Sequence, residues 1–187
     1  ADLLLSDVSI DIIKIGAVGS AEILMEIMRL LKKINKPTVF DPIISPAMGG
    51  KLTSKGLLEE IKKKVFPFCY LITPNFNELL TMTNSSKLIL EDLKNLGTKY
   101  ILVKDSEPKE KNIVNTLYFK SKFKKEWQVE RVKKEFHGTG CTLAAAIAAN
   151  LSNKISIEES ISLALQFINL SINDSFSIGK GQRILRR

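Results

Sequence analysis

Cysteine and long apolar runs are both scarce in this sequence, and each shortage argues against a class of protein. Only two of the 187 residues are cysteine: Cys69 in an apolar, strand-like run and Cys141 after two turn glycines. Neither their number nor their spacing suits a disulfide framework or a zinc site, which is consistent with a reducing compartment. Apolar stretches are broken by Lys, Asn, Glu or Ser well short of the roughly 20 residues that span a bilayer, so no membrane partner is expected. The opening Ala1-Asp2-Leu3-Leu4-Leu5-Ser6-Asp7 lacks the basic segment of a secretory signal, and a cytoplasmic location is the expectation. Internal repeats, linkers and low-complexity segments are missing too. One globular domain over 1–187, large enough for a single sizeable core, is the expected organisation.

Basic residues outnumber acidic ones, 28 to 20, giving a formal charge of +8. The lysines fall in scattered clusters, Lys62-Lys63-Lys64, Lys122 to Lys125 and Lys133-Lys134, with few aromatics between them to stack on bases. Solvated helix and hairpin faces account for most of this charge, and a nucleic-acid partner is not expected. A basic surface still attracts anionic small molecules such as nucleotides.

Residues Ile10 to Gly16 read as a buried strand ending at a glycine. Ser20 then opens a helix with Ile23, Leu24, Ile27, Leu31 and Ile34 at helical spacing. Further strands are expected at Pro37 to Pro42, Cys69 to Thr73 and Tyr100 to Lys104, with helices over Ser54 to Val65, Asn77 to Met82 and Leu88 to Leu96. Val114 to Phe119 and Trp127 to Val132 alternate like a β-hairpin around a Lys-rich turn, and helices over Thr142 to Leu151 and Ile157 to Phe176 follow. Strands alternating with helices over short connections predict an α/β fold with a mostly parallel central sheet flanked by helices. Ligands in such sheets sit at the carboxyl ends of the strands. Those ends carry Gly16, Asp41, Asn75 with Glu78, and Lys104.

His137-Gly138-Thr139-Gly140-Cys141, at the start of a helix-forming run, admits three readings. It is a tight turn whose glycines allow left-handed backbone; or Cys141 is a nucleophile with His137, the only histidine, as its base; or backbone N–H groups and the helix dipole form an anion hole with Cys141 as a base beside it. A thiol at a helix N-terminus is expected to have a lowered pKa. Asn75 and Glu78, one turn apart, suit either a helix cap or a hydrated magnesium site. Asp41 at its strand end shares that ambiguity.

Taken together, Lys14-Ile15-Gly16, Asp41-Pro42-Ile43, Thr73-Pro74-Asn75-Phe76-Asn77-Glu78, Val103-Lys104, His137 to Thr142 and Gly179-Lys180-Gly181 resemble the hydroxymethylpyrimidine and phosphomethylpyrimidine kinases of thiamine biosynthesis. These form a branch of the ribokinase-like superfamily in which Cys stands where most members carry Asp. The resemblance implies ATP and Mg2+ as cofactors and a pyrimidine alcohol or its phosphate as substrate. It gives Cys141 the role of base and Gly138, Thr139 and Gly140, with Cys141, the anion hole. It puts Asn75 and Glu78 at the metal and nucleotide phosphates with Asp41 nearby, and Lys104 and Lys180 near the nucleotide.

The sequence departs from the family in four places. The N-terminal region that cups the pyrimidine has no counterpart, Lys104-Asp105-Ser106-Glu107-Pro108 replaces a Lys-Gly-Gly-His segment, Phe136 replaces Thr, and Gln182-Arg183-Ile184 follows Gly181. These keep open a catalytically silent nucleotide-binding or regulatory protein, a kinase for a related alcohol such as pyridoxal and, last, a Cys–His hydrolase. An exposed sheet edge left by the missing region makes a homo-oligomer the expected assembly.

Overall fold

The computed structural model describes residues 2–44, 53–87, 90–107, 111–134 and 136–186. In chain order its elements are α1 (Asp2–Asp7), β1 (Ile13–Ile15), α2 (Ala21–Ile34), β2 (Thr38–Phe40), α3 (Lys55–Lys64), a 3₁₀ turn (Phe66–Phe68), β3 (Leu71–Ile72) and α4 (Phe76–Thr83). They continue with α5 (Leu90–Asn95), β4 (Tyr100–Val103), β5 (Asn112–Phe119), β6 (Lys122–Glu130), β7 (Phe136–His137), α6 (Thr139–Ser152), α7 (Ile157–Asn173) and β8 (Arg183–Ile184). The main sheet has six strands in the order β1-β2-β3-β4-β5-β6. Its first four strands are parallel, and β5 and β6 close it as an antiparallel hairpin.

Successive residues of the central strands feed two cores. Phe40, Ile72, Ile101 and Val103 face α2, α3, α4 and α5, packing with Leu24, Ile61, Leu79 and Leu93. Val39, Leu71, Leu102 and Leu117 face α6 and α7, packing with Leu143, Ile147, Ile161 and Leu165. The parallel strands are therefore apolar on both sides, as sheets sandwiched between helices require, and the expected helix-flanked parallel sheet is the observed one.

Local chemistry sets the helix starts. The Ser20 and Ser54 side chains accept from the N–H groups of Ile23 and Leu57, and Ser156 does the same for Glu159. Left-handed Asn35 and Asn84 terminate α2 and α4. Short α1, not expected from the sequence, is tied to α2 by Asp2, which bonds Arg29 and Lys33.

Three kinds of boundary differ from expectation: strand lengths, the hairpin turn and the start of α6. Strands β1, β2 and β3 are two or three residues long, shorter than their apolar runs. The expected start of the fifth helix at Leu88 lies outside the described residues. The hairpin turn is Lys120-Ser121, both with positive φ, the geometry that matches strand twist in a two-residue connection. Lys122 to Lys125 therefore lie in β6, an edge strand, not in the turn. Helix α6 begins at Thr139, inside the glycine motif, so Cys141 belongs to its first turn.

Candidate functional site

Parallel strands all end on one side of the sheet, and the polar residues following them meet there. Asp41 follows β2 and is almost fully buried, its N–H donating to the Ile15 carbonyl at 2.9 Å. Asp41 Oδ1 accepts from Lys104 Nζ at 2.9 Å and from Thr73 Oγ1 at 3.1 Å. Asp41 Oδ2 is buried and makes no hydrogen bond among the described residues, a costly state for a carboxylate oxygen and one that marks a place for a donor or a cation. Lys104 follows β4, and its backbone binds the β3–α4 connection, accepting from Phe76 N at 2.9 Å and donating to the Pro74 carbonyl at 2.8 Å.

Asn75 and Glu78 form a complete capping box. Asn75 Oδ1 accepts from Glu78 N at 2.8 Å and Glu78 Oε2 from Asn75 N at 2.8 Å, so the cap is formed by the same two residues considered for magnesium. Burial and then the negative charge of Asp41 push the Glu78 carboxyl above its ordinary value, while Lys104 and the bond from Asn75 oppose this. A buried carboxyl whose proton affinity is raised in part by a neighbouring carboxylate suits a bound cation. No group of three or more His, Cys, Asp or Glu capable of holding a metal occurs among the described residues. A magnesium ion would therefore need nucleotide oxygens to complete its shell, which is its usual mode of binding.

The N-terminus of α6 faces this cluster. Gly138 is its N-cap at φ 83°, and no side chain caps it. The first intrahelical bond runs from Thr142 N to the Gly138 carbonyl at 2.9 Å, so the N–H groups of Thr139, Gly140 and Cys141 precede the helical ladder. A Cβ on Gly140 would stand 3.0 Å from Lys104 Nζ; glycine there lets the ammonium lie against the helix start. N–H groups ahead of the helical ladder, the helix dipole and an adjacent lysine are together able to cradle an anion.

Cys141 is half-buried in the same turn. Burial, and then the charge of Asp41, push its thiol up from the ordinary value; Lys14 and Lys104 pull the other way. The expectation of a lowered pKa is thus corrected: the helix terminus is there, but a buried carboxylate about a hundred residues earlier stands beside it. His137 is exposed and is not among the groups acting on Cys141, which leaves a Cys–His dyad without support.

A cavity of about 400 Å³ opens beside the cradle, within the size range of small-molecule sites. Ile113 and Val129 of the hairpin and Leu143 and Leu165 of the helices give it an apolar wall, and Asn75, Lys104, Thr139 and Gly140 give it a polar end. Lys180 is exposed in the turn before β8 and is not among the lining residues. Pairing of β8 with β7 nonetheless brings that part of the chain beside the glycine motif.

Sequence reasoning gave no role to Lys14, Thr73, Asp105 or Arg131. A lone lysine inside the apolar Ile12 to Ile15 run was a usable signal for Lys14; the others depend on tertiary contacts. Among the described residues no helix is long and apolar enough to cross a membrane.

A family model described as phosphomethylpyrimidine kinase matches residues 1–186. Curated relatives include a thiamine biosynthesis bifunctional protein of Geobacter sulfurreducens, 29% identical over 96% of this chain and 38% of its own length. A hydroxymethylpyrimidine/phosphomethylpyrimidine kinase of Bacillus subtilis is 26% identical over 96% of this chain and 70% of its own. The chain thus spans little more than a third of the first relative's length. Among solved structures, a phosphomethylpyrimidine kinase of Clostridium difficile matches with TM-score 0.74 and 31% identity, over 91% of this chain and 73% of that one. A pyridoxal kinase of Staphylococcus aureus, solved with AMP-PCP and pyridoxal, matches in fold with TM-score 0.82 and 23% identity, over 99% and 70%.

Proposed function

This chain belongs to the phosphomethylpyrimidine kinase family, and from that membership we propose that it transfers a phosphoryl group from ATP to hydroxymethylpyrimidine or its monophosphate. The observation that carries this reading is the uncapped start of α6, with Cys141 in its first turn and the Asp41–Lys104 pair against it. An acyl-transfer nucleophile would need a base within reach, and His137 does not supply one.

The 400 Å³ cavity takes the nucleoside on its apolar wall and directs the phosphates to the end lined by Lys104, Thr139 and Gly140. The N–H groups of Thr139, Gly140 and Cys141 bind the transferring phosphoryl oxygens, where negative charge concentrates as the new O–P bond forms and the bond to the β,γ-bridging oxygen breaks. Asp41 and Glu78 are the carboxylates placed to hold magnesium, which when bound neutralises phosphate charge. Asn75 holds the start of α4, and with it Glu78, in place. Lys180 sits outside the cavity and takes part only if its turn moves.

Cys141 accepts the proton of the attacking hydroxyl, and to do so its thiol must first ionise. Burial and Asp41 make the thiolate scarcer but more basic. The rate should therefore climb as pH rises through and beyond the ordinary thiol range.

A coupled assay with magnesium and ATP against hydroxymethylpyrimidine, its monophosphate and pyridoxal tests the proposal. Turnover of a pyrimidine is expected, with Cys141→Ala lowering kcat about 10²- to 10⁴-fold and leaving nucleotide affinity nearly unchanged. Absence of nucleotide binding by calorimetry would overturn it. Binding without turnover would assign the chain to a silent, regulatory role, and turnover of pyridoxal alone would move the substrate.

A further inference from the structure

At the mouth of the cavity stands an ion pair that the proposed reaction does not use. Asp105 directly follows Lys104 and has φ 49°, a left-handed backbone that Asp tolerates better than most residues but still at a cost. Arg131 follows β6. Its N–H donates to the Lys111 carbonyl at 2.8 Å, which fixes the backbone where the hairpin ladder ends. Arg131 Nη2 donates to both Asp105 oxygens, at 2.7 and 2.8 Å, and both residues line the cavity.

Stability alone is a weak reason for this arrangement. Each side chain is about one-third exposed, and partly solvated pairs contribute roughly 0–1 kcal/mol, against which the left-handed backbone of Asp105 must be set. The site's need for positive charge is a better one. A nucleotide brings several phosphate charges to the cavity, more than the Lys104 ammonium at its polar end can match alone. A guanidinium at the rim, planar and always charged, suits phosphate oxygens better than a further ammonium would.

We propose that Arg131 binds the polyphosphate of the nucleotide and that Asp105 is its positioning residue, a role that rests on the kinase reading above. The carboxylate holds the guanidinium at the cavity mouth, and the left-handed turn after Lys104 aims that carboxylate.

Calorimetry with magnesium AMP-PCP and, separately, with adenosine tests this in wild type, Arg131→Ala, Asp105→Ala and the double variant. Arg131→Ala should weaken magnesium AMP-PCP about tenfold, and Asp105→Ala should weaken it at least threefold. The double variant should be no weaker than Arg131→Ala alone, since residues acting as a unit are not additive. Adenosine, which lacks phosphates, should bind all four alike; a merely structural pair would affect both ligands equally. Asp105→Gly removes the carboxylate while relieving the backbone, so lost affinity at an unchanged or higher Tm excludes unfolding as the cause. Additive losses, equal losses for both ligands, or wild-type affinity in Arg131→Ala overturn the assignment. A wild type that binds no nucleotide overturns the kinase reading together with this one.

Discussion

Two helices begin at the carboxyl edge of this sheet, within reach of the same lysine, and their first turns are built in opposite ways. At α4 the Asn75 and Glu78 side chains bond reciprocally to backbone N–H groups, so that the terminus is closed by its own residues. At α6 the N-cap is a glycine with no side chain to offer. Both ends carry the positive pole of a helix dipole; one is satisfied internally and the other is left open to an anion. Whether the sequence supplies a cap thus decides whether a helix terminus is closed by its own residues or stays available to a ligand.

Supplying a negative group to the open terminus is the strongest way to break the comparison. Thr139→Asp places a carboxylate in the first turn of α6, where it complements the dipole and should raise stability by about 0.3–1 kcal/mol. The same charge repels nucleotide phosphates and should weaken magnesium AMP-PCP at least tenfold, about 1.4 kcal/mol. A rise in Tm accompanied by a fall in affinity, measured by scanning and titration calorimetry, confirms the open-site role; unchanged affinity removes it.

Opening the closed terminus gives a smaller effect of a different kind. Asn75→Ala loses the cap of α4, a change of about 1 kcal/mol, and should lower Tm by about 2–4 °C. Affinity should fall less than in Thr139→Asp. If affinity collapses while Tm holds, Asn75 is a ligand and not a cap.

The smallest effect comes from Glu78, whose folded carboxyl has a raised pKa. The folded state then holds the proton more tightly than the unfolded chain does, so Glu78 costs stability as pH rises from the unfolded value through the folded one. Glu78→Gln, which can still cap, should gain on wild type across that window by a Tm difference on the order of 1–2 °C. A difference that does not change with pH would mean that Glu78 is not strained by Asp41 and burial.

Much of the architecture could be read from local signals. Ser20, Ser54 and Asn75 announce their helices, and the alternation of strands with helices yields the parallel sheet and the edge where Asp41, Asn75, Glu78 and Lys104 gather. Lys122 to Lys125 misled because a cluster of charge resembles a turn. In the structure these lysines line the exposed edge strand β6, where charge discourages pairing with another chain. Cys141 misled because the helix terminus is local and Asp41 is not. The cavity had no local signal either, since its walls come from the hairpin and α7, separated in sequence by the whole of α6.

The Lys104–Asp41 bond also bears on the order in which the molecule assembles. It spans 63 residues and joins the ends of the second and fourth strands, contacts that form only after long loops have closed. Helices such as α2 and α7 carry their own caps and a short-range hydrogen-bond ladder, so they can form transiently in a chain that is still open. The bond cannot, and until it forms the Lys104 ammonium lacks the Asp41 carboxylate as a partner. The polar cluster at the carboxyl edge is therefore completed late in folding, only when β2, β3 and β4 have come together in the sheet.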